Sequence, residues 1–255
     1  MSSQPVFNIT TPRATAVPVV ASIPHSGVYV PPEVAFQFTP EHLAWLRNTD
    51  WFIPEVFSFL PELGVTTITA THSRYVVDLN REAAGELYGP FGQAPVASTL
   101  LSGQQTHLHH PQQRELEDRV NFYHEPYHQA LEGLLKDTVA KFGTCLLIDL
   151  HAFMAPSEND ICLGNLHGIS CRESTMDTLQ KVLIRENFIT AVNDPFAGVY
   201  ILHRHHGQQT EAVQFELRYT NYMDCSLIGL WSVPGQTEPW RWRSLHQEEL
   251  KTNKN

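Results

Sequence analysis

The chain has 255 residues, of which 42% are hydrophobic and 17% are charged, a composition typical of a globular protein. Its formal net charge of −10 argues against a general nucleic-acid binder, because such proteins usually carry a basic patch. The charge argues more weakly against an anionic membrane surface. It is compatible with a small anionic substrate, since one arginine can outweigh the global field.

The cysteines and the N-terminal residues bear on the compartment. Four cysteines without a CxxC pair argue against a disulfide framework. The first residues show no basic region followed by an apolar core, so no signal peptide is predicted. No apolar run approaches the roughly 18 residues of a membrane span. We therefore expect a cytoplasmic protein that has no membrane partner.

The first third of the chain is predicted to alternate between strands and helices. A strand is predicted over Val19–Ile23, which is rich in β-branched residues. Thr39 has the character of an N-cap with Pro40 at the first helical position. Apolar residues at helical spacing predict another helix from Trp51 to Leu63, closed by Gly64. Further strands are predicted over residues 65–70 and 75–79.

The rest of the chain begins with a long irregular insertion, residues 83–113, rich in Gly, Pro, Gln and His; loops of this length are usually functional or mobile. A helix is predicted from Pro111 to Phe142, with a kink at Pro126. The later predicted elements are a central strand at 145–150, a helix at 176–186, strands at 189–192, 198–202 and 212–217, and a frayed tail after Glu248. This order predicts an α/β fold in which helices flank a central, mostly parallel (mixed) sheet.

Two histidines at the ends of apolar, strand-like runs are the candidate metal ligands. In open α/β sheets, ligands bind outside the carboxyl ends of the strands, so His25 and His151 are expected to face one crevice. Two histidines and one carboxylate are an established catalytic zinc set, and Asp50 is the candidate carboxylate. Asp50 is equally well explained as a helix N-cap. Asp149 is a candidate hydrogen-bond partner of a metal-bound histidine.

Glu216 and a segment with two arginines are the other candidates. Glu216 lies within an apolar strand, where an ion pair or an edge position would explain it; the functional alternative is a general base whose pKa is raised by burial. Arg74, Asn80 and Arg81 lie in the segment Ser73–Arg81. Arginine binds carboxylates as a bidentate fork, so this segment predicts capture of a substrate carboxylate, unless the arginines are solvated or salt-bridged.

Two histidine clusters have no assigned role. They are His107 with His109 and His110, and His203 with His205 and His206. A histidine cluster can bind metal, but a polar loop of this kind is more often solvated.

These motifs resemble the N-formylglutamate amidohydrolase (N-formylglutamate deformylase) family. The matching stretches are Pro24–Gly27, Thr49-Asp50, Ser73–Arg81, Tyr127-His128, Asp149–His151, Leu163–Asn165, Asn193–Phe196 and Gln214–Glu216. They run from about residue 24 to residue 216, and the nine-residue Ser73–Arg81 block is the most specific of them.

The resemblance implies one amidohydrolase domain over residues 1–255, with a phosphorylase/hydrolase-like fold of the zinc carboxypeptidase type. In such relatives the site residues follow a set order along the chain. Here that order gives His25, Asp50 and His151 as metal ligands, Asn80-Arg81 as the carboxylate clamp and Glu216 as the base.

Two departures from the family patterns bear on these assignments. Carboxypeptidases carry Glu three residues after the first histidine, whereas this chain has Val28, so the acidic ligand must come from elsewhere. After Asn193–Phe196, Ala197-Gly198 stands where the family pattern has two glycines, which leaves the choice of substrate open.

The implied activity is metal-dependent hydrolysis of N-formyl-L-glutamate to formate and L-glutamate, a step of histidine degradation. One divalent ion, Zn²⁺ first and Co²⁺ or Fe²⁺ as alternatives, would activate water. Arg74 would stabilise the oxyanion or bind the side-chain carboxylate. The partner is thus a small anionic N-acyl amino acid. A deacylase of another N-acyl amino acid or short peptide, and a non-catalytic amino-acid-binding relative, stay open, as does the oligomeric state.

Overall fold

The computed structural model describes residues 4–154 and 157–223, so Cys225 and the tail after Glu248 lie outside the described residues. The strands are β1 (Phe7–Thr10), β2 (Val19–Ile23), β3 (Thr66–Ala70), β4 (Tyr88–Gly89), β5 (Val96–Ala97), β6 (Cys145–Phe153), β7 (Ile161–Gly164), β8 (Thr190–Val192) and β9 (Thr210–Arg218). The α-helices are α1 (Pro32–Ala35), α2 (Pro40–Trp45), α3 (Ile53–Val56), α4 (Gln113–Arg119), α5 (Glu125–Phe142), α6 (Glu173–Arg185) and α7 (Tyr200–His205). Shorter turns of 3₁₀-helix lie at Leu60–Leu63 and Tyr219–Asn221, and a π-helical turn lies at Val120–His124.

Seven of these strands form one mixed sheet in the order β1-β3-β2-β6-β9-β7-β8. The neighbours β3, β2, β6 and β9 are parallel, as are β7 and β8, while β1 and β7 run antiparallel to β3 and β9. The central strands β6 and β9 pair in a register that places His151 opposite Glu216. The predicted α/β fold, a mixed and mostly parallel sheet flanked by helices, is confirmed.

Hydrophobic cores lie on both faces of the sheet, because successive side chains of a strand point to opposite faces. On one face, Val20 and Leu147 belong to a core completed by Leu131 of α5. On the other, Ala21 packs in a core with Met176 of α6. With both faces covered, the carboxyl edge of the parallel strands is where polar groups meet a crevice.

The predicted helix from Trp51 to Leu63 is wrong as a single element. The structure has the short helix α3 and then a separate 3₁₀ turn that contains Pro61. Proline has no backbone N–H and clashes with the preceding turn, so the α-helix cannot run through it. Gly64 closes the segment as predicted, with a φ of 84°.

Two predicted strands are not strands. Residues 75–79 form turns, and the Asp78 side chain accepts a hydrogen bond from the Asn80 N–H, which replaces a ladder partner. In the predicted strand at 198–202, residues 200–202 are the first residues of α7, because a short apolar run does not distinguish a strand from a buried helix. The short strands β1 and β7 were not among the predicted elements.

The insertion and the long helix complete the fold. Residues 83–113 contain the two-residue pair β4 and β5, end on the first residue of α4, and are otherwise turns and irregular backbone. The predicted helix at 111–142 is α4, the π-helical turn and α5 in succession, so its irregularity lies just before Pro126. Among the described helices, none combines the length and apolar character needed to cross a membrane.

Candidate active site

A cavity of about 680 Å³ lies at the carboxyl ends of β2, β6 and β9. Its lining includes every predicted site residue: His25, Asp50, Arg74, Asn80, Arg81, His151 and Glu216. This position is where ligands bind in open α/β sheets. The chain therefore gathers at one edge groups that lie far apart in sequence.

Local backbone contacts fix His25 and Asp50 next to each other. A Cβ atom on Gly27 would lie 2.3 Å from the His72 carbonyl oxygen, so glycine lets the loop after β2 lie on the loop after β3. The Asp50 N–H donates to the His25 carbonyl at 3.1 Å, and Ser26 Oγ donates to the Asp50 carbonyl at 2.7 Å. These bonds fix the position of His25, in the loop after β2, relative to Asp50, in the loop before α3.

Three buried side chains converge on one point. His25 Nδ1 and His151 Nδ1 lie 3.8 Å and 3.1 Å from the same oxygen, Asp50 Oδ2. One ligand atom from each of the three residues lies within 4.8 Å of the others. Two imidazoles and a carboxylate are the donor set of a catalytic zinc site.

The second nitrogen of each imidazole meets another carboxylate. His25 Nε2 donates to Asp78 Oδ1 at 2.6 Å, and His151 Nε2 donates to Asp149 Oδ2 at 2.8 Å. A histidine that donates one N–H to a carboxylate keeps the lone pair of its other nitrogen for a metal. The residues present therefore fit a divalent metal ion.

Asp78 was not among the predicted site residues, although it lies in the Ser73–Arg81 block. The available signal was a carboxylate between the apolar residues Val77 and Leu79, all three of which are buried. Asp149 lies where the sequence placed it, next to His151.

Electrostatics keep the central carboxylates ionised. Burial raises the pKa of Asp78, but the charges of Arg74 and His25 outweigh it and hold that pKa well below its usual value. Burial also opposes ionisation of Asp50, whose pKa is nevertheless lowered by a hydrogen bond from His151 and by nearby positive charges. The centre thus holds two buried negative charges against the single permanent positive charge of Arg74, an excess that a cation would balance.

The two histidines respond in opposite directions. Burial and the Arg74 charge lower the pKa of His25. Burial also disfavours the charged form of His151, but Asp149 and Asp50 raise its pKa well above the usual value. His151 is thus the histidine whose environment selects most strongly for a positive charge.

Glu216 is a buried carboxyl group in the central strand β9, so the edge-strand explanation is wrong. Its Oε1 accepts a hydrogen bond from Gln214 Nε2 at 2.8 Å, a neutral partner and not a basic one. Burial raises the pKa of Glu216 to about 7, against the opposing charge of His151. A carboxyl group with a pKa near neutrality is suited to proton transfer.

Arg74 is held beside the donor set. Its Nη2 donates to Asp78 Oδ2 at 2.6 Å, and its Nη1 lies 3.9 Å from Asp50 Oδ1. The guanidinium also lies 4.8 Å from the ring centroid of Phe91, at the insertion. Its charge is therefore fixed close to the converging ligand atoms.

Asn80 and Arg81 line the cavity next to this group. Asn80 Nδ2 donates to Asp149 Oδ2 at 3.3 Å, and Asn80 Oδ1 accepts from the Ile201 N–H at 2.8 Å. Arg81 Nε donates to the Gly92 carbonyl at 2.9 Å. Asn80 Nδ2 also lies 3.2 Å from His151 Nε2. The Arg81 guanidinium has further N–H donors, so it retains hydrogen-bonding capacity toward the cavity.

Some lining residues have no motif that would have revealed them. Arg47 and Tyr219 both line the cavity, and Tyr219 OH donates to the Thr49 carbonyl at 2.6 Å. In contrast, the clustered histidines in the described part of the chain are outside the lining. The expectation that they are solvated fails for His107 and His205, which are buried.

Comparisons with known proteins find relatives that match most of the chain. The chain is 34% identical over 228 residues to an N-formylglutamate deformylase of Pseudomonas aeruginosa, covering 82% of this chain and 83% of that protein. It is 29% identical over 241 residues to one of Pseudomonas putida, covering 89% and 85%. The crystal structure of N-formylglutamate amidohydrolase from Ralstonia eutropha JMP134 matches with a TM-score of 0.75 at 24% identity, over 86% of this chain and 87% of that one. That likeness shows the fold.

The family assignment rests on most of the chain. The sequence profile of N-formylglutamate amidohydrolases matches residues 17–223, a range that contains all seven predicted site residues. The resemblance inferred from the motifs is thereby confirmed: the chain belongs to the N-formylglutamate amidohydrolase family.

Proposed function

We propose that the protein is a metal-dependent amidohydrolase that converts N-formyl-L-glutamate and water into formate and L-glutamate, a step of histidine degradation. The observation that carries the proposal is a buried glutamate with a pKa of about 7 beside a His–Asp–His donor set, in a cavity that also holds arginines. The two Pseudomonas relatives are named for this reaction.

His25, Asp50 and His151 would hold the ion, which we assign first as Zn²⁺, with Co²⁺ and Fe²⁺ as alternatives that accept the same donors. When bound, the ion supplies a Lewis acid that makes water more acidic and polarises the formyl carbonyl. Asp78 and Asp149 keep the two imidazole rings oriented, since each accepts the N–H opposite the ligating nitrogen.

Glu216 is the general base in this proposal. It accepts the proton of the attacking water and then delivers it to the nitrogen of the departing glutamate, so one group serves both transfers. Gln214 holds Oε1 and leaves the other carboxylate oxygen for the proton. The pairing of β6 with β9 fixes Glu216 opposite His151, which sets the distance between base and ligand.

Asn80 and the arginines of the cavity bind and orient the substrate. Asn80 and Arg81 hold the α-carboxylate, which places the formamide over the ligand atoms. Of the two roles open to Arg74, the geometry favours stabilisation of the oxyanion, because its guanidinium lies beside Asp50 and Asp78. We assign Arg47, which lines the same cavity, to the side-chain carboxylate of the substrate.

The proposed partner is thus a small anionic N-acyl amino acid, with neither nucleic acid nor a membrane. Cys145, Cys162 and Cys171 are unpaired and buried. Unpaired thiols fit a reducing compartment, so we place the protein in the cytoplasm.

The test is hydrolysis by metal-reconstituted protein. We expect Glu216→Gln to retain the metal but lose about 10²–10⁴-fold in kcat, and His151→Ala to lose the metal as well. Near-wild-type turnover in both variants would overturn the mechanism.

A panel of N-formyl and N-acetyl amino acids tests the substrate. We expect N-formyl-L-glutamate to have the highest kcat/KM of the panel. A higher value for an N-acetyl compound would reassign the protein to another N-acyl amino acid. A preparation with neither stoichiometric metal nor turnover would indicate a protein that only binds amino acids.

A further inference from the structure

We propose that His124 and His128 are positioning residues that fix the Asn80–Arg81 clamp for the α-carboxylate of the substrate. Both histidines are fully buried and lie outside the lining of the cavity. The inference rests on the proposed function, because it assigns them a part in recognition of the amino-acid moiety.

The clamp is held through its backbone. His128 Nε2 donates to the Leu79 carbonyl and His124 Nε2 donates to the Arg81 carbonyl, both at 2.9 Å. The carbonyl between them, that of Asn80, accepts from the guanidinium of Arg81 at 2.6 Å. Three consecutive carbonyls therefore each accept a side-chain hydrogen bond.

This pattern matters because the segment has no regular secondary structure. In a strand or a helix, the ladder of backbone hydrogen bonds would fix the position of Asn80 and Arg81. Residues 75–82 belong to neither. The N–H groups of Asn80 and Arg81 bond locally to Asp78, so the side chains that meet the carbonyls are what tie this turn to the helix. Ile201 and Gly92 orient the two clamp side chains, whereas the histidines locate the backbone that carries them.

Helix geometry explains why these two histidines act together. Residues four apart lie on the same face of a helix, so His124 and His128 reach the same segment. The π-helical turn Val120–His124 ends at the first of them. Such turns are uncommon and are often found at functional sites.

A third histidine sets the tautomer of His128. Because a carbonyl can only accept, His128 carries its proton on Nε2, and its Nδ1 accepts from His205 Nε2 at 2.9 Å. Burial lowers the pKa of both imidazoles and so keeps them neutral. The donor to Leu79 is thereby always present.

The experiment measures discrimination between a carboxylate and a carboxamide. Titration calorimetry on metal-loaded protein compares L-glutamate with isoglutamine, in which the α-carboxylate is replaced by a carboxamide. Kinetics then compare kcat and KM for their N-formyl derivatives. A loss of packing lowers both affinities together, whereas a displaced clamp lowers only the preference for the carboxylate.

The variants distinguish the effect of losing the N–H donor from the effect of losing the packing of the ring. His128→Phe and His124→Phe keep a ring but remove the hydrogen bond, and His128→Gln restores an N–H near the position of Nε2. Should the Phe variants not fold, His128→Asn has an amide too short to reach the Leu79 carbonyl. His42→Phe is the matched control, because His42 is also buried but neither of its ring nitrogens has a hydrogen-bond partner among the described residues.

We expect the carboxylate preference to fall about tenfold in each Phe variant, with KM rising and kcat retained. We expect His128→Gln to recover most of the carboxylate preference and His42→Phe to leave that preference unchanged. The inference would be overturned if the two Phe variants kept the carboxylate preference, or if His42→Phe lowered that preference as much as they do. It would also be overturned if the wild type showed no preference for the carboxylate over the carboxamide. Glutamate binding without formyl hydrolysis would overturn the proposed function alone.

Discussion

Asp78 connects the parts of the site at the scale of single residues. Its two carboxylate oxygens accept from His25 and Arg74, and Oδ1 also accepts from the Asn80 N–H. One carboxylate thus orients a ligand candidate, holds the arginine and shapes the turn that carries the clamp. A substitution of Asp78 should therefore disturb His25, Arg74 and the turn that carries Asn80.

Asp78→Asn tests this role. The amide keeps the size of the side chain but removes the charge that orients His25 and balances Arg74, so metal affinity should fall by about 10–100-fold. Competition with a chromogenic chelator measures it. Asp137→Asn, an exposed change on α5, is the control and should bind metal like the wild type. Equal affinities in all three proteins would contradict the assignment.

Arg47 offers a test of side-chain recognition. If it meets the side-chain carboxylate of the substrate, Arg47→Met should lower the preference for N-formylglutamate over N-formylglutamine by about tenfold, since an ion pair is lost. The ratio of the two kcat/KM values is the measurement. Arg114→Met removes an exposed arginine outside the cavity lining and should leave the ratio unchanged. A ratio that survives Arg47→Met would assign the side-chain carboxylate to another residue.

Glu216 should make the stability of the metal-free protein depend on pH. Its pKa is about 7 in the folded chain, against the ordinary 4.5. As the pH rises through this window, the unfolded chain releases a proton that the folded chain keeps, so the free energy of unfolding falls. Glu216→Gln cannot ionise, and its stability relative to the wild type should therefore rise by about 3 kcal/mol between pH 4 and pH 8. Urea titrations with chelator present measure this difference. If the free energies of unfolding of the wild type and of Glu216→Gln depended on pH in the same way, the prediction would be contradicted.

At the scale of elements, the sequence predicts strands well where a buried strand is also an apolar run. Val19–Ile23 matches β2 residue for residue, because a parallel strand covered on both faces is mostly apolar along its length. The same signal fails at residues 75–79. There, Tyr75 and Val76 are buried against Phe38 and the insertion as turns, and composition alone does not separate a buried turn from a strand.

Gly27→Ala tests the contact between the loops after β2 and β3. The added Cβ would lie 2.3 Å from the His72 carbonyl oxygen, so backbone must move. We expect a loss of about 1–3 kcal/mol in the free energy of unfolding and weaker metal binding, because the same loop carries His25. Gly133→Ala in α5 meets nothing within 4 Å and should instead stabilise the protein. Equal stability of the Gly27 variant and the wild type would show that the two loops can accommodate the added Cβ atom.

At the scale of the whole molecule, the candidate residues of the site were predictable, but most of their hydrogen-bond partners were not, Asp149 being the exception. His25, His151 and Glu216 follow from their places on apolar runs, and the family resemblance supplied their order. The hydrogen bond between Asp50 and His151 joins positions 101 residues apart. Such distances depend on how β2, β6 and β9 pair and on where the connecting loops turn, which one sequence does not encode as a local pattern.

Because the proposed ligands come from three separate segments, the loop after β2, the loop before α3 and the central strand β6, metal binding should stabilise the whole fold. A metal present at 100 times its dissociation constant adds about 2.7 kcal/mol to the free energy of unfolding. For a protein of this size, that corresponds to a rise in Tm of about 5–10 °C, measured by calorimetry with and without chelator. His151→Ala should abolish the shift, whereas His203→Ala, an exposed change on α7, should keep it. If the chelator leaves the Tm of the wild type unchanged, no ion links these segments.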